Sequence, residues 1–274
     1  KEYIHSLSDL YGTDEAKALF ILSTSNILKL TQSEILLKQD REVAVKESNK
    51  LLKFLEDLKT GKPIQHILGE TLFYRLPFIV NENVLVPRPE TEELVDWVIN
   101  EVKDSKKTLL DIGTGSGCIA ITLKKNLQHL NVWAIDVSDK ALSVAKDNAK
   151  LNKVEISFIE TDILTYSTSE RFDIIVSNPP YIRELEKAEM HKNVLEHEPH
   201  QALFVSDENP LVFYEAIANF AVKNLNPNGY LFFEINEYLW AETLQILINK
   251  QFKNIELKKD MQGKDRMIMA RTNP

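Results

Sequence analysis

From residue 107 onward, short apolar runs alternate with stretches of helical period, and this alternation restricts the possible folds more than any other feature. Thr108–Ile112, Val132–Asp136, Ile156–Glu160, Phe172–Ser177 and Tyr230–Ile235 read as strands, with weaker ones at Ile255–Lys258 and Arg266–Ala270. Cys118–Asn126, Lys140–Leu151, Leu211–Leu225 and Leu239–Asn249 read as helices between them. A run as apolar as Phe172-Asp173-Ile174-Ile175-Val176 has no face to give to water, so it belongs in a sheet covered on both sides. Strands of that kind separated by helices predict an α/β doubly wound, mostly parallel sheet. Its ligand should sit outside the carboxyl ends of the strands, near the point where strand order reverses.

The first part of the chain is different. Residues 1–63 read as a small N-terminal helical domain, and its neutral charge and lack of a metal or nucleotide motif make substrate docking its expected role. Thr13 with Asp14 and Glu15 has the form of an N-cap and acidic first turn. Thr31 and Glu34 stand at capping-box spacing. A longer helix is predicted from about Asp40 to Lys59, with Leu51, Leu52, Leu55 and Leu58 on one stripe, stopped by Gly61 and Pro63. Residues 64–86 read as a β-hairpin linker, in which Leu72-Phe73-Tyr74 and Phe78-Ile79-Val80 flank Arg75-Leu76-Pro77. Residues 87–274 then form the α/β domain, beginning with a helix near Pro89 that turns Leu94, Val95, Trp97 and Val98 inward.

Charge and composition narrow the function. The first 75 residues hold 11 basic and 11 acidic side chains, so the net charge of −8 lies wholly in the remainder. That balance argues against an obligate nucleic-acid binder. Cys118 is the only cysteine, which excludes an intrachain disulfide and a Cys-based zinc site. The histidines near residue 200 lack metal-ligand spacing, so no metal is expected. No apolar run is long enough for a membrane span, and no signal peptide is visible. The expectation is a cytoplasmic monomer with no membrane contact.

Asp111-Ile112-Gly113-Thr114-Gly115-Ser116-Gly117 closes the first strand and opens the first helix. Alternate glycines let the backbone turn sharply and come close to a ligand. The dinucleotide fingerprint requires a glycine where this chain has Cys118, and Asp111 would repel a pyrophosphate. The same carboxylate suits the cationic amino acid part of S-adenosyl-L-methionine (AdoMet). Asp136 ends the second strand, where a carboxylate can accept both ribose hydroxyls. Asp162 follows the third, where it can accept the adenine amino group. Three strand ends in series favour AdoMet as cofactor.

The fourth strand ends in Ser177-Asn178-Pro179-Pro180-Tyr181. Prolines lack an N–H and hold the residue before them extended, so the turn offers acceptors and few donors. The Asn178 side-chain oxygen and the Pro179 carbonyl suit an incoming –NH2. Gripping both hydrogens of an amide would orient its delocalised lone pair towards a methyl donor and stabilise the charge that develops on nitrogen. Tyr181 would cover the flat group. No general base and no covalent enzyme intermediate are needed.

With Val86-Pro87-Arg88-Pro89-Glu90-Thr91-Glu92 about ninety residues upstream, these motifs resemble those of the release factor glutamine methyltransferases, also called HemK or PrmC. The resemblance covers essentially the whole chain, including the segment from Glu198-Pro199 to Ala202-Leu203. It implies a Rossmann-like class I AdoMet-dependent methyltransferase fold. It also implies N5-methylation of the glutamine in the Gly-Gly-Gln motif of class I peptide chain release factors, with S-adenosyl-L-homocysteine as product. Carried over by position, Gly113, Thr114, Gly115, Ser116, Gly117, Asp136 and Asn178 would contact AdoMet, and Asn178, Pro179, Pro180 and Tyr181 would hold the glutamine. Arg88 would help close the substrate site, or would hold the start of a helix. Two positions depart from the family pattern: Ile163 replaces a frequent aromatic beside adenine, and Asn236 stands where many relatives carry glycine.

The Asn-Pro-Pro-Tyr turn would serve the exocyclic amine of adenine (N6) or guanine (N2) equally well. A nucleic-acid methyltransferase is therefore one rival, with the acidic balance against it. A ribosomal protein glutamine methyltransferase is a nearer one. A non-catalytic AdoMet-binding module is the third, disfavoured because all three strand-end carboxylates and the whole turn are present.

Overall fold

A computed structural model describes residues 2–37, 42–102, 107–189 and 192–273. They fall into two compact units, one of residues 2–70 and 192–197, the other of 71–189 and 198–273. The expected linker is therefore divided, 64–70 lying in the small unit and 71–86 in the large one.

The small unit begins with α1 (Glu2–Tyr11), α2 (Thr13–Leu28), α3 (Gln32–Leu37), α4 (Val45–Lys59) and α5 (Ile64–Leu68). Leu7, Leu19, Leu55, Leu58 and Ile64 form its core. The Tyr11 hydroxyl donates to the Leu58 carbonyl at 2.6 Å, and Tyr3 donates to Ser23 at 3.0 Å. The Thr31–Glu34 capping box is present, with the Thr31 N–H on Glu34 at 2.9 Å and the Glu34 N–H on Thr31 Oγ1 at 3.3 Å. Gly61 adopts a φ of 85° just past α4.

Three expectations are corrected here. Thr13 is the first residue of α2, and Gly12 caps it with no side-chain bond. The long helix starts at Val45; residues 42–44 are not helical, and Asp40 lies outside the described residues. Leu52 is 55% exposed, because it sits one residue away from the Leu51–Leu55–Leu58 stripe and a single helical step turns it by about 100°.

β1 (Glu70–Phe73) and β2 (Leu76–Ile79) form the hairpin, but its turn is Tyr74-Arg75, with φ of 49° and 62°. Two left-handed residues in succession are the geometry of a tight two-residue hairpin turn. Neither residue advertises it in the sequence. The Tyr74 N–H donates to Glu92 at 2.7 Å and its hydroxyl to Asp96 at 3.0 Å, which holds the strained turn against α6 (Pro89–Glu101).

The remaining elements are β3 (Thr108–Ile112), α7 (Cys118–Asn126), β4 (Asn131–Asp136), α8 (Asp139–Asn152), β5 (Ser157–Glu160) and β6 (Phe172–Ser177), then β7 (Ile182–Arg183), which pairs with β8 (Phe204–Val205). Between those two lies α9 (Lys192–His197), which belongs to the small unit, where His197 Nε2 meets the Thr60 carbonyl at 2.9 Å. α10 (Val212–Asn224), β9 (Leu225–Glu234), α11 (Trp240–Asn249), β10 (Lys253–Lys259) and β11 (Asp265–Arg271) complete the large unit.

Seven strands form one sheet in the order β10-β11-β9-β6-β3-β4-β5. Pairs from β9 to β5 are parallel, and β11 runs antiparallel to both of its neighbours. The period-two alternation of a strand sorts its residues onto two covered faces. Leu109, Ile174, Val176, Phe232 and Met269 pack on one side, with α6 and α7. Leu110, Ile175, Leu231, Phe233 and Ile268 pack on the other, with α10 and α11. Trp97 meets Phe232 edge-on at 5.7 Å, an arrangement worth about 0.5–1.5 kcal/mol beyond the area it buries. Cys118 is buried at the start of α7, and burial pushes its thiol up to about 12. Strand order reverses between β3 and β6, so the crevice lies at their carboxyl ends.

Candidate active site

A cavity of about 290 Å³ opens at those carboxyl ends, close to the lower limit for small-molecule sites. Parallel register explains which residues meet there. Ile112 stands opposite Ile135 on one side and Ser177 on the other, so Gly113, Asp136 and Asn178 emerge together. Asp136 pairs with Glu160, which brings Asp162 to the same rim.

The glycine loop is folded against β4 by two N–H donors, Gly113 at 2.9 Å and Thr114 at 3.0 Å, both on the Ile135 carbonyl. Gly113, Gly115 and Gly117 all have positive φ, which side chains rarely tolerate. Their surroundings differ. A Cβ at Gly113 or Gly115 would meet nothing within 4 Å, whereas one at Gly117 would lie 2.8 Å from Ile121 Cδ1 and 3.2 Å from Ala145 Cβ. Gly113 and Gly115 therefore border open space at the cavity wall, and Gly117 lets α7 and α8 approach each other.

Asp111 is fully buried immediately behind the lining residues Ile112 and Gly113. Its Oδ2 accepts from Thr114 Oγ1 at 2.6 Å and the Ala120 N–H at 3.3 Å, while its Oδ1 meets no hydrogen-bond partner among the described residues. Burial pushes this carboxyl up to about 7. A cationic group delivered to this end of the cleft would hold it ionised. Asp136 accepts the Gly115 N–H at 2.8 Å on Oδ2 and the Ser138 N–H at 3.0 Å on Oδ1. Burial raises its carboxyl too, and those backbone donors oppose the rise. Asp162 accepts the Leu164 N–H at 2.9 Å. Each of these oxygens keeps a further lone pair for a ligand hydroxyl or amine.

Behind the Asn-Pro-Pro-Tyr turn lies a chain of buried polar groups. The Asn178 Nδ2 donates to Thr91 Oγ1 at 3.2 Å, and the Thr91 hydroxyl donates to Glu234 Oε2 at 2.7 Å. The Tyr181 hydroxyl donates to Glu234 Oε1 at 3.0 Å. Asn236 Nδ2 donates to the Tyr181 carbonyl at 2.9 Å and to Glu186 at 3.0 Å. Burial raises the Glu234 carboxyl, while the two hydroxyls and the Arg266 charge lower it. Burial and the Glu234 charge hold the Tyr181 phenol well above its ordinary value, so it stays a donor.

Of the residues expected at the site, Gly113, Gly115, Asp136, Asp162, Ile163, Asn178, Pro179 and Pro180 line the cavity. Asp111, Thr114, Ser116 and Gly117 do not; they support the loop from behind. Tyr181 is also absent from the lining, its ring packed on the α10–α11 side of the sheet and its hydroxyl drawn to Glu234. Arg88 caps α6, its guanidinium is held by the Glu198 carboxylate at 2.6 Å, and it is not among the lining residues. Sequence reasoning missed Phe213, Leu85 and Gln201 in the wall, and Thr91 and Glu234 behind it. One signal for Glu234 was available: a lone acid in the apolar run Leu231-Phe232-Phe233-Glu234-Ile235. Among the described residues, no cluster of three His, Cys, Asp or Glu could hold a metal ion, and no helix is long and apolar enough to cross a membrane.

Residues 91–204 match the family model described as a methyltransferase small domain, and residues 1–69 match that of the PrmC N-terminal domain. A release factor glutamine methyltransferase of Flavobacterium psychrophilum is 51% identical, over 97% of this chain and 95% of its own. Another from Bacteroides thetaiotaomicron is 41% identical, over 97% and 96%. Among solved structures, a T. thermophilus 16S rRNA methyltransferase in complex with AdoMet and guanosine shares the fold at a TM-score of 0.54. It has 18% identity, covering 74% of this chain and 50% of the other. With identity at this level along nearly the full length of both chains, this chain belongs to the release factor glutamine methyltransferase family.

Proposed function

We propose that the chain transfers a methyl group from AdoMet to the side-chain nitrogen (N5) of the glutamine in the Gly-Gly-Gln motif of class I release factors. The observation that carries this reading is the orientation of Asn178. Its –NH2 is tied back to Thr91, which leaves its carboxamide oxygen for the cleft. An acceptor at that place suits an incoming –NH2, which brings hydrogens to donate.

When bound, AdoMet supplies an electrophilic methyl on a sulfonium and leaves as S-adenosyl-L-homocysteine. Asp111 would balance the charge of its amino acid end, Asp136 would accept from the ribose and Asp162 from the adenine amine. Ile163 gives the adenine an apolar contact without stacking. Phe213 lines the same cavity, so the cleft retains an aromatic wall. Asn178 and Pro179 would take the two hydrogens of the glutamine amide, fixing the lone pair along the line of transfer and stabilising positive charge as it forms. The methylated nitrogen then loses a proton without help from a protein base. Tyr181 acts from behind, anchoring the turn through Glu234 and Asn236.

Incubation of the purified chain with AdoMet and a class I release factor, followed by peptide mass analysis, is expected to add one methyl to the Gly-Gly-Gln glutamine. An unmodified glutamine under conditions where AdoMet binds would refute the reading.

A further inference from the structure

We propose that Thr91 and Glu234 are positioning residues that decide which end of the Asn178 carboxamide faces the substrate. This inference rests on the proposed role of Asn178 as acceptor for the substrate amide.

The argument is a count of protons. A threonine hydroxyl carries one hydrogen. Thr91 Oγ1 lies 2.7 Å from Glu234 Oε2, and a carboxylate has no hydrogen to give, so Thr91 spends its only proton there. What remains on Thr91 Oγ1 are lone pairs, and these can be met only by a donor. The Asn178 group facing it at 3.2 Å is therefore the –NH2, and Oδ1 is left on the opposite side. Carboxamide nitrogen and oxygen are nearly the same size, so shape alone would not choose between the two orientations; the hydrogen-bond chain does.

Burial gives the choice its strength. Thr91 is 3% exposed and Glu234 is 2% exposed, so neither can exchange its partner for bulk water. The second carboxylate oxygen is occupied by Tyr181, which leaves Thr91 no competing donor at Oε2. The fold supplies the parts from distant segments. Thr91 comes from the first turn of α6, Glu234 from the end of β9, and Asn178 from the end of β6, where Ser177 pairs with Phe233. Were the carboxamide reversed, two –NH2 groups would face each other at the reacting nitrogen, and the turn would repel the group it must hold.

Four variants test this with methyl-transfer kinetics on a release factor, AdoMet affinity by calorimetry and a thermal melt. Thr91→Ser keeps the hydroxyl and is expected to hold kcat/KM within about threefold. Thr91→Val keeps the shape and removes the hydroxyl; Glu234→Gln keeps the shape and can place an –NH2 against Thr91, which reverses the sense of the chain. Each is expected to lower kcat/KM by roughly 100-fold, the scale of losing one oriented polar group, with AdoMet affinity changed less than about threefold. The double variant should be no worse than either single, since both break one chain. Glu234→Gln or Thr91→Val with parental kcat/KM would overturn the inference, as would Thr91→Ser falling as far as Thr91→Val. If one valine or glutamine variant does not fold, the other decides. Failure of the parent enzyme to methylate the release factor would instead count against the proposed function, so the two failures are separable.

Discussion

Replacing Gly117 by alanine would force a methyl group to within 2.8 Å of Ile121 Cδ1 and 3.2 Å of Ala145 Cβ, at a residue whose φ is 81°. Two costs combine. A left-handed non-glycine residue costs roughly 1–2 kcal/mol, and crowding a packed contact about 1–3 kcal/mol. Stiffening the unfolded chain returns about 0.4–1 kcal/mol. The net loss is roughly 1–4.5 kcal/mol, which for a unit of this size lowers Tm by about 2–18 °C. Gly113→Ala and Gly115→Ala form the control, because their Cβ atoms would enter open space at the cavity wall. They bear only the backbone cost, roughly 1–2 kcal/mol, and should melt within a few degrees of the parent while losing AdoMet affinity. Scanning calorimetry with and without AdoMet reads both effects. If Gly117→Ala melts within 2 °C (about 1 kcal/mol or less) of the parent, or if all three glycines behave alike, the division between packing glycine and ligand glycines is wrong.

Two further outcomes follow from the same structure. Arg88→Ala leaves the Glu198 carboxylate, 1% exposed, without its cation, and is expected to cost about 3 kcal/mol in urea denaturation. A variant that keeps its stability and raises only the KM for the release factor would instead assign Arg88 to the substrate site. Asp111 has its carboxyl raised to about 7 in the folded protein, so between about pH 4 and 7 the folded state holds a proton that the unfolded state has released. Stability without ligand therefore falls as pH rises through that window. Asp111→Asn should remove this part of the fall, melt above the parent at pH 8 (beyond about 7), and bind AdoMet more weakly. Equal pH profiles for parent and variant would refute the assignment.

What could be read from the sequence was local. The apolar runs, the glycine loop and the Asn-Pro-Pro-Tyr turn each occupy a few consecutive residues, and their positions relative to strand ends were recoverable from period and turn chemistry. Thr91 and Glu234 were not, because they lie 143 residues apart and meet only where α6 packs against β9. The hairpin turn was misplaced for a different reason. Tyr74 and Arg75 adopt left-handed backbone without the Gly or Asn that normally signals it, and the compensating acceptor, Glu92, lies 18 residues away. Asn236 was noticed only as a departure from relatives; the structure gives it work, holding the Tyr181 carbonyl.

The buried sulfur at the start of α7 has a consequence for redox chemistry. Peroxides and disulfides are attacked by thiolates, and a thiol pushed up to about 12 supplies almost none at neutral pH. Among the described sulfur side chains, oxidants would therefore pass over Cys118 and reach Met261 first, a thioether that is 85% exposed on the turn between β10 and β11. Met261 is not among the residues lining the cavity, so its sulfoxide would leave that wall chemically unchanged.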